Sequence, residues 1–118
     1  MRKWTDEKIK DWNIKTFERD PVRQINKVEE ELLEVEKANR GVYNSQSSNY
    51  NEIYKETADA YIAAVGLSTY PEYAALSRFL RNKLYSSIGL VLDAFIDEKM
   101  EQNIKRTFEN QGNVDHHI

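Results

Sequence analysis

The sequence contains no cysteine and only four glycines and two prolines among its 118 residues. Without cysteine, the chain has neither a disulfide framework nor a thiolate metal site. Because glycine and proline are so few, each of them is informative as a marker of where an element begins or ends. No alternation of polar and apolar residues of the kind found in strands is present, and no internal repeat occurs. The sequence therefore predicts an all-α fold.

Long hydrophobic runs and an excess of positive charge are also missing. The longest mainly apolar stretches, residues 60–67 and 88–92, are too short to cross a bilayer. The first twelve residues are charged throughout and have no apolar core of a signal peptide. A formal net charge of −3 argues against a dedicated nucleic-acid binder, which normally has a basic face. We therefore expect a cytoplasmic protein with no membrane or nucleic-acid partner.

What the chain does contain is enough apolar material for one folded domain. Hydrophobic residues make up 40% of the sequence, and seven Tyr, four Phe and two Trp supply large surfaces to bury. A chain of 118 residues suffices for one core and is too short for two. We predict a single domain over residues 1–110 and a flexible C-terminal tail over residues 111–118.

Helix-start signals divide this domain into four or five helices. Thr5 before Asp6 predicts a first helix to about Phe17, and Asp20 before Pro21 predicts a second. The second is expected to end at Arg40, with Gly41 as its stop and a loop over residues 41–51. The remaining predicted helices run from about 51 to 69, from 71 to about 83, and from about 87 to 108. Whether residues 71–86 form a separate helix or extend a neighbour is left open.

Two pairs of acids stand three residues apart on the second and third predicted helices. Glu31 and Glu34 share one helix face, and Glu56 and Asp59 share another. If these helices are antiparallel, the four carboxylates can meet and offer the hard oxygen ligands that Mg²⁺ prefers. The alternative is a solvated acidic surface, which spacing alone favours in a chain with 20 acidic residues.

The neighbours of these acids favour the metal site over the solvated surface. The face of Glu56 and Asp59 continues through Ala60, Ala63, Gly66 and Leu67, whose small size predicts close packing of another helix. Glu31 lies beside the apolar seam of Ile25, Val28, Leu32 and Val35. Carboxylates about 4 Å apart repel by roughly 4 kcal/mol per pair at an effective dielectric of about 20. A cation is the simplest explanation for gathering them.

Polar residues extend the apolar stripe of the last predicted helix. Ile88, Leu92 and Phe95 define this stripe, and Lys99, Asn103 and Arg106 prolong it toward the C-terminus. Basic side chains near a helix C-terminus can simply complement the helix dipole, which accounts well for Arg106. It accounts poorly for Asn103 on a core-facing side. Lys99 and Asn103 are therefore interpreted as contacts for phosphate.

Taken together, these motifs resemble the MazG-like, all-α nucleoside triphosphate pyrophosphohydrolases. The resemblance covers KVEEELLEVEKA (27–38), KETADAYIAAVGL (55–67) and DEKMEQNIKR (97–106), with a looser echo in KDWNIKTF (10–17). The acidic signature of that family falls on Glu30, Glu31, Glu34, Glu56 and Asp59. Its downstream lysine, asparagine and arginine fall on Lys99, Asn103 and Arg106. The stretch 70–86 is longer than the usual connection in that family.

The resemblance implies a helical bundle completed by dimerisation, as a homodimer or a dimer of dimers. It implies hydrolysis of a nucleoside triphosphate, in its ribose or deoxyribose form, to the monophosphate and pyrophosphate, as nucleotide-pool housekeeping. Glu31, Glu34, Glu56 and Asp59 would hold Mg²⁺, with Mn²⁺ as a substitute, and the metal would polarise the α-phosphate and help generate the attacking hydroxide. Glu30 or another acid would orient the water, and Trp12 would lie near the base, with a core position as its alternative.

Three other functions stay open on the sequence. Two are enzymes with similar paired carboxylates, a phosphoribosyl-ATP pyrophosphohydrolase and an all-α dUTPase. The third is a non-catalytic helical interaction module whose acids are only surface. Substrate analysis separates the enzymes, and metal binding separates all of them from the module.

Overall fold

The computed structural model describes residues 2–45 and 50–111. Within these ranges the chain forms five α-helices and no strand. For residues 42–45 and 108–111 only the course of the backbone is described. The helices are α1 (Asp6–Thr16), α2 (Pro21–Ser45), α3 (Asn51–Leu67), α4 (Ala74–Ile88) and α5 (Val91–Gln111), and a 3₁₀ turn (Pro71–Tyr73) precedes α4. The predicted all-α class is confirmed. Of the predicted tail over residues 111–118, Gln111 still belongs to α5, and residues 112–118 lie outside the described part of the chain.

The predicted starts of the first two helices are confirmed by their capping hydrogen bonds. Thr5 Oγ1 accepts from the Lys8 backbone N–H at 3.3 Å, which satisfies a donor that the first turn of α1 leaves unpaired. Asp20 Oδ1 accepts from the Arg23 N–H at 3.1 Å at the start of α2. These side chains fix where the two helices begin.

Gly41 does not end α2, and this prediction is wrong. The helix continues through Gly41 to Ser45, so the predicted loop over residues 41–51 begins later than expected. A glycine terminates a helix when it adopts the left-handed conformation, and among the described glycines only Gly89 has a positive φ. In a helix of 25 residues the cost of one internal glycine, about 1 kcal/mol, is easily tolerated.

The break between α4 and α5 falls at Gly89 rather than near Ser87. Its φ of +82° and ψ of −151° lie in a region that only glycine adopts readily. The fourth helix therefore runs five residues beyond the predicted end at Lys83, and Ile88 belongs to α4 instead of the stripe on α5. Residues 74–88 form a separate helix, which settles the alternative that the sequence left open.

The third helix is the centre of the fold, because it packs against all four other helices. Every residue from Thr57 to Leu67 is buried except Asp59. The main core also includes Ile9 of α1 and a stripe on α5 formed by Leu92, Ile96 and Met100, each with no exposed surface. A helix buried almost all round has little freedom to shift, so α3 provides a rigid frame for its polar residues.

Hydrogen bonds from polar side chains hold the other helices in register with α3. Gln24 Nε2 of α2 donates to the Ala63 carbonyl at 2.9 Å, and Ser77 Oγ of α4 donates to the Ala64 carbonyl at 2.5 Å. The Gln24 contact is close because Gly66 has no side chain: a Cβ there would lie 2.7 Å from Gln24 Nε2. This confirms that the small-residue face of α3 receives a closely packed helix.

The segment before α1 is fastened to α5, and the first residue of α1 is fastened to α3 and α4. The backbone N–H groups of Lys3 and Trp4 donate to the two carboxylate oxygens of Asp97, at 2.9 and 2.8 Å. Asp6 accepts from Arg81 of α4 at 2.8 Å and from the Tyr61 hydroxyl of α3 at 3.1 Å. These contacts fix α1 and α5 relative to the central helix. Within the described ranges, no helix is both long enough and apolar enough to span a bilayer.

The two glycines Gly89 and Gly41 give opposite predictions for replacement by alanine. Gly89→Ala should destabilise the protein by about 1–3 kcal/mol, because alanine is strained at this backbone conformation. Gly41→Ala should stabilise it by about 0.5–1 kcal/mol, since the new Cβ meets nothing within 4 Å and alanine favours the helix. Urea denaturation of both variants measures the two shifts, and equal shifts would contradict the assigned helix boundary.

Candidate metal centre

The first acid of the candidate site, Glu31, lies on the side of α2 that faces α3. Its neighbour Val28 is buried and Leu32 packs against the core, so the apolar seam turns this side inward. As a result the Glu31 side chain is only 12% exposed. A carboxylate this buried needs a partner, because burial without compensation disfavours the charge.

The second and third acids, Glu56 and Asp59, lie three residues apart on α3. They share one face of the helix, in contact with α2, as the sequence predicted. Glu31, Glu56 and Asp59 each offer a ligand atom, and these atoms lie within 4.8 Å of one another. The antiparallel pairing of α2 and α3 therefore brings three of the four predicted acids together.

Glu56 has the most strongly perturbed carboxyl group of this cluster. Burial, a hydrogen bond shared with Glu52 one turn earlier, and the negative charges of its neighbours raise the pKa of Glu56 to about 7. Those neighbours are Asp59, Glu52 and Glu31. The cluster thus binds a proton near neutral pH, and a cation would release it.

Two lysines contact the cluster from different helices. Lys27 of α2 places its Nζ 2.9 Å from Glu31 Oε2, and Lys99 of α5 places its Nζ 3.2 Å from Asp59 Oδ2. Burial by itself lowers the pKa of Lys27, but the hydrogen bond to Glu31 and the nearby carboxylates outweigh burial and raise that pKa above its usual value. Lys99 is only 19% exposed, so this ion pair is largely shielded from solvent.

The composition of the cluster fits a divalent cation with hard ligands. With Glu52 included, its acidic groups outnumber its ammonium groups, and a cation would balance this excess. Oxygens around one Mg²⁺ stand about 3 Å apart when adjacent and about 4.2 Å apart when opposite, so the three ligand atoms, within 4.8 Å of one another, would have to draw closer together to bind one ion. The donor set therefore suits Mg²⁺ or Mn²⁺, while softer metals would prefer nitrogen or sulfur.

The fourth predicted ligand, Glu34, is not grouped with the other three. Its side chain is 41% exposed and pairs with Lys37 at 3.3 Å, one turn along α2. Glu30, predicted to orient water, is 66% exposed and lies 3.7 Å from Lys27 Nζ. Both residues are adjacent to the cluster along the helix, but the structure pairs their carboxylates with lysines.

The three residues of α5 that were predicted to contact phosphate differ in their burial and in whether they contact the acidic cluster. Lys99 reaches the cluster directly through Asp59. Asn103, one turn further on, is half-buried, and its Nδ2 lies 3.8 Å from Met100 Sδ, which is a weak acceptor. Arg106 is exposed. The buried stripe of α5 consists of Leu92, Ile96 and Met100, so the two half-buried polar residues lie on its flank.

Trp12 of α1 is positioned beside the same side of α5. Its indole N–H donates to Thr107 Oγ1 at 3.4 Å, and its ring meets Phe17 edge to face at a centroid distance of 5.4 Å. Lys99, Asn103 and Thr107 follow one another at intervals of four residues, which places them on one helix face. Trp12 therefore lies at the end of a row that begins at Lys99, about 12 Å away along the axis.

Two residues of the cluster were not singled out from the sequence. Lys27 and Glu52 each stand four residues before an acid of the cluster, Glu31 and Glu56 respectively, and that spacing is the signal for both. Lys27 compensates charge, whereas Glu52 adds a further carboxylate. No protein-family model matches the chain, and no curated protein and no solved structure is significantly similar to it.

Proposed function

We propose that this chain is a divalent-metal-dependent nucleoside triphosphate pyrophosphohydrolase of the MazG-like kind. The observation that carries the proposal is the convergence of Glu31, Glu56 and Asp59 within 4.8 Å, with Lys99 beside them. A half-buried group of acids that retains a proton near neutral pH is poorly suited to a purely structural role. It is well suited to a cation that must hold a polyphosphate.

The roles of the side chains follow from where they lie. Glu31, Glu56 and Asp59 would hold Mg²⁺ or Mn²⁺, and Glu34, one turn further along α2, is a candidate for an additional ligand. A bound divalent ion supplies charge stabilisation at the α-phosphate and acidifies water. Lys99 and Asn103 provide donors for the phosphates, and the triphosphate would extend along α5 toward Arg106. Trp12, at the far end of this row, provides an aromatic surface for the base.

The reaction itself is tested with a panel of triphosphates in the presence of Mg²⁺. We expect at least one nucleoside triphosphate to yield the monophosphate and pyrophosphate, and chelator to stop the reaction. The panel includes dUTP and phosphoribosyl-ATP, because these substrates define the two related enzymes. Phosphorus NMR identifies the first products. Nucleoside diphosphate with orthophosphate as first products would exclude attack at the α-phosphate, and no turnover of any member would favour the interaction module.

We further propose that the protein self-associates through an exposed apolar face. The small-residue face of α3 is buried within the subunit and is not available to a partner. Much of α4 is open to solvent, since only Ser77 and Leu84 of this helix are buried. Leu76 and Phe79, one turn apart on it, are 42% and 58% exposed. Two large apolar side chains on one exposed face favour burial against a second copy.

Sedimentation equilibrium over a range of concentrations tests this association. The parent protein should form at least a dimer, and Phe79→Arg should shift it to monomer, because a charge would be buried in the contact. Leu33→Arg is the matched control, since Leu33 is 57% exposed on α2 and should not change the mass. A parent protein that is monomeric at all concentrations would contradict the proposal.

A further inference from the structure

Lys99 and Lys27 contact the same acids that the proposed function assigns to a divalent cation. Lys99 Nζ lies 3.2 Å from Asp59 Oδ2, and Lys27 Nζ lies 2.9 Å from Glu31 Oε2. An ammonium at this distance shares the carboxylate lone pairs that a metal needs, and its charge repels the cation. Each lysine is therefore a competitor for the cation at one of the ligands.

The two lysines differ in what surrounds them. The Lys27 side chain is 52% exposed, so its ammonium can leave Glu31 and be solvated by water. The Lys99 side chain is 19% exposed and rises from α5 beside Met100, which has no exposed surface. A largely buried ammonium that leaves its carboxylate needs another anion, because an unpaired buried charge is costly.

None of the residues three or four positions from Lys99 on α5 is an acid, and the adjacent Glu98 is exposed on another face of the helix. Asp97, two residues earlier, accepts the backbone N–H groups of Lys3 and Trp4 with its two oxygens. One turn in the other direction lies Asn103, an uncharged amide. An anion that receives Lys99 after it leaves Asp59 would thus come from the substrate, whose phosphates are the negative groups expected at this site.

We propose that Lys99 alternates between Asp59 and a phosphate of the substrate, and that this exchange couples metal binding to phosphate binding. The inference rests on the function proposed above. When a divalent cation takes the Asp59 carboxylate, the Lys99 ammonium is released toward the phosphate chain. When phosphate attracts the ammonium, Asp59 becomes available to the cation. By linkage each ligand raises the affinity of the other by the same factor.

Calorimetric titration of the full chain with Mg²⁺ and with inorganic pyrophosphate tests the exchange. The variants are Lys99→Met, which removes the exchanging charge, Lys99→Arg, which retains it, and the matched control Lys27→Met. Pyrophosphate is titrated at a fixed Mg²⁺ concentration and in chelator. Because pyrophosphate binds Mg²⁺ in solution equally in every sample, the comparison is between variants rather than between conditions. Melting curves verify folding, and Lys99→Gln replaces Lys99→Met if the latter does not fold.

Both methionine variants should bind Mg²⁺ about tenfold more tightly than the parent, since each lacks one cationic competitor. They should differ in the gain in pyrophosphate affinity that Mg²⁺ produces. Lys27→Met should retain the parent's gain, and Lys99→Met should lose about tenfold of it. Lys99→Arg should stay close to the parent in both quantities. A Mg²⁺ affinity for Lys99→Met equal to or weaker than that of the parent would overturn the exchange.

The exchange would also be overturned if Mg²⁺ raised the pyrophosphate affinity of Lys99→Met as much as it raises that of Lys27→Met. Failure of this inference is distinguishable from failure of the proposed function. If the parent binds Mg²⁺ and cleaves triphosphates but Lys99→Met behaves as Lys27→Met does, only the exchange is excluded. If the parent binds no Mg²⁺, the metal centre and the exchange are both excluded.

Discussion

Glu56→Gln is expected to lower kcat/KM for the best triphosphate substrate by at least about a hundredfold, since changes in the outer shell of a metal site alone cost 10–100-fold. The substitution keeps the shape of the side chain but removes a charged ligand from the cluster. Glu36→Gln is the control, because Glu36 is 61% exposed on α2 and pairs with Arg40. Its kcat/KM should stay within about twofold of the parent. Steady-state kinetics at saturating Mg²⁺ measure both values.

Glu34→Gln, in the same assay, distinguishes the ligand set that the sequence predicts from the set that the structure groups. If Glu34 is a ligand, its loss should approach that of Glu56→Gln. The pairing of Glu34 with Lys37 on a side chain that is 41% exposed favours a smaller loss. A kcat/KM for Glu56→Gln within tenfold of the parent would exclude the metal centre whatever the result at Glu34.

The second large effect concerns the dependence of stability on pH. The pKa of Glu56 is raised to about 7 in the folded protein, against an ordinary value of 4.5. Folding therefore favours the protonated form, and this contribution is fully present below the ordinary pKa. It is lost as the pH rises through the folded pKa, because the carboxylate must then ionise among other acids. In chelator the free energy of unfolding of the parent should thus fall by about 1–2 kcal/mol as the pH rises from 4.5 to about 7, after allowance for solvent screening.

Glu56→Gln removes this loss, because the amide stays neutral at every pH. In chelator the variant should be more stable than the parent by about 1–2 kcal/mol above neutral pH and nearly equal to it in mild acid. Mg²⁺ at a hundred times its Kd should stabilise the parent by about 2.7 kcal/mol and the variant by much less. Asp59→Asn should not give the same gain, because it leaves Lys99 without its carboxylate partner. Urea denaturation at both pH values, with and without Mg²⁺, provides the data. Identical pH profiles for parent and Glu56→Gln would contradict the assigned pKa.

The helix starts could be predicted because they depend on residues next to one another in the sequence. Thr5 and Asp20 cap their helices through contacts three residues away, and such contacts survive any tertiary arrangement. The helix ends were harder to predict from the sequence, since a glycine can either lie within a helix or terminate it. Gly41 continues a helix and Gly89 breaks one, and the difference lies in their backbone conformations. Packing selects those conformations, and the local sequence does not specify them.

The acids of the site could be predicted from spacing along single helices. Glu56 and Asp59 had to share a face, and the small residues that follow them on α3 indicated that the face was buried. The partner of each acid could not be predicted, because it depends on the relative placement of three helices. Lys99 approaches Asp59 from α5, forty residues away in the sequence, and Glu34 turns to Lys37 on its own helix. Local periodicity contains no information on either choice.

The most direct test of the metal centre is calorimetric titration of the parent protein with Mg²⁺, in two buffers of different ionisation enthalpy. We predict saturable binding that releases about one proton at about pH 6 and clearly less at about pH 8, because the cation displaces the proton of Glu56. Glu56→Gln should bind more weakly and release no such proton. Absence of saturable Mg²⁺ binding by the parent at both pH values would contradict the metal centre and the enzymatic function proposed from it.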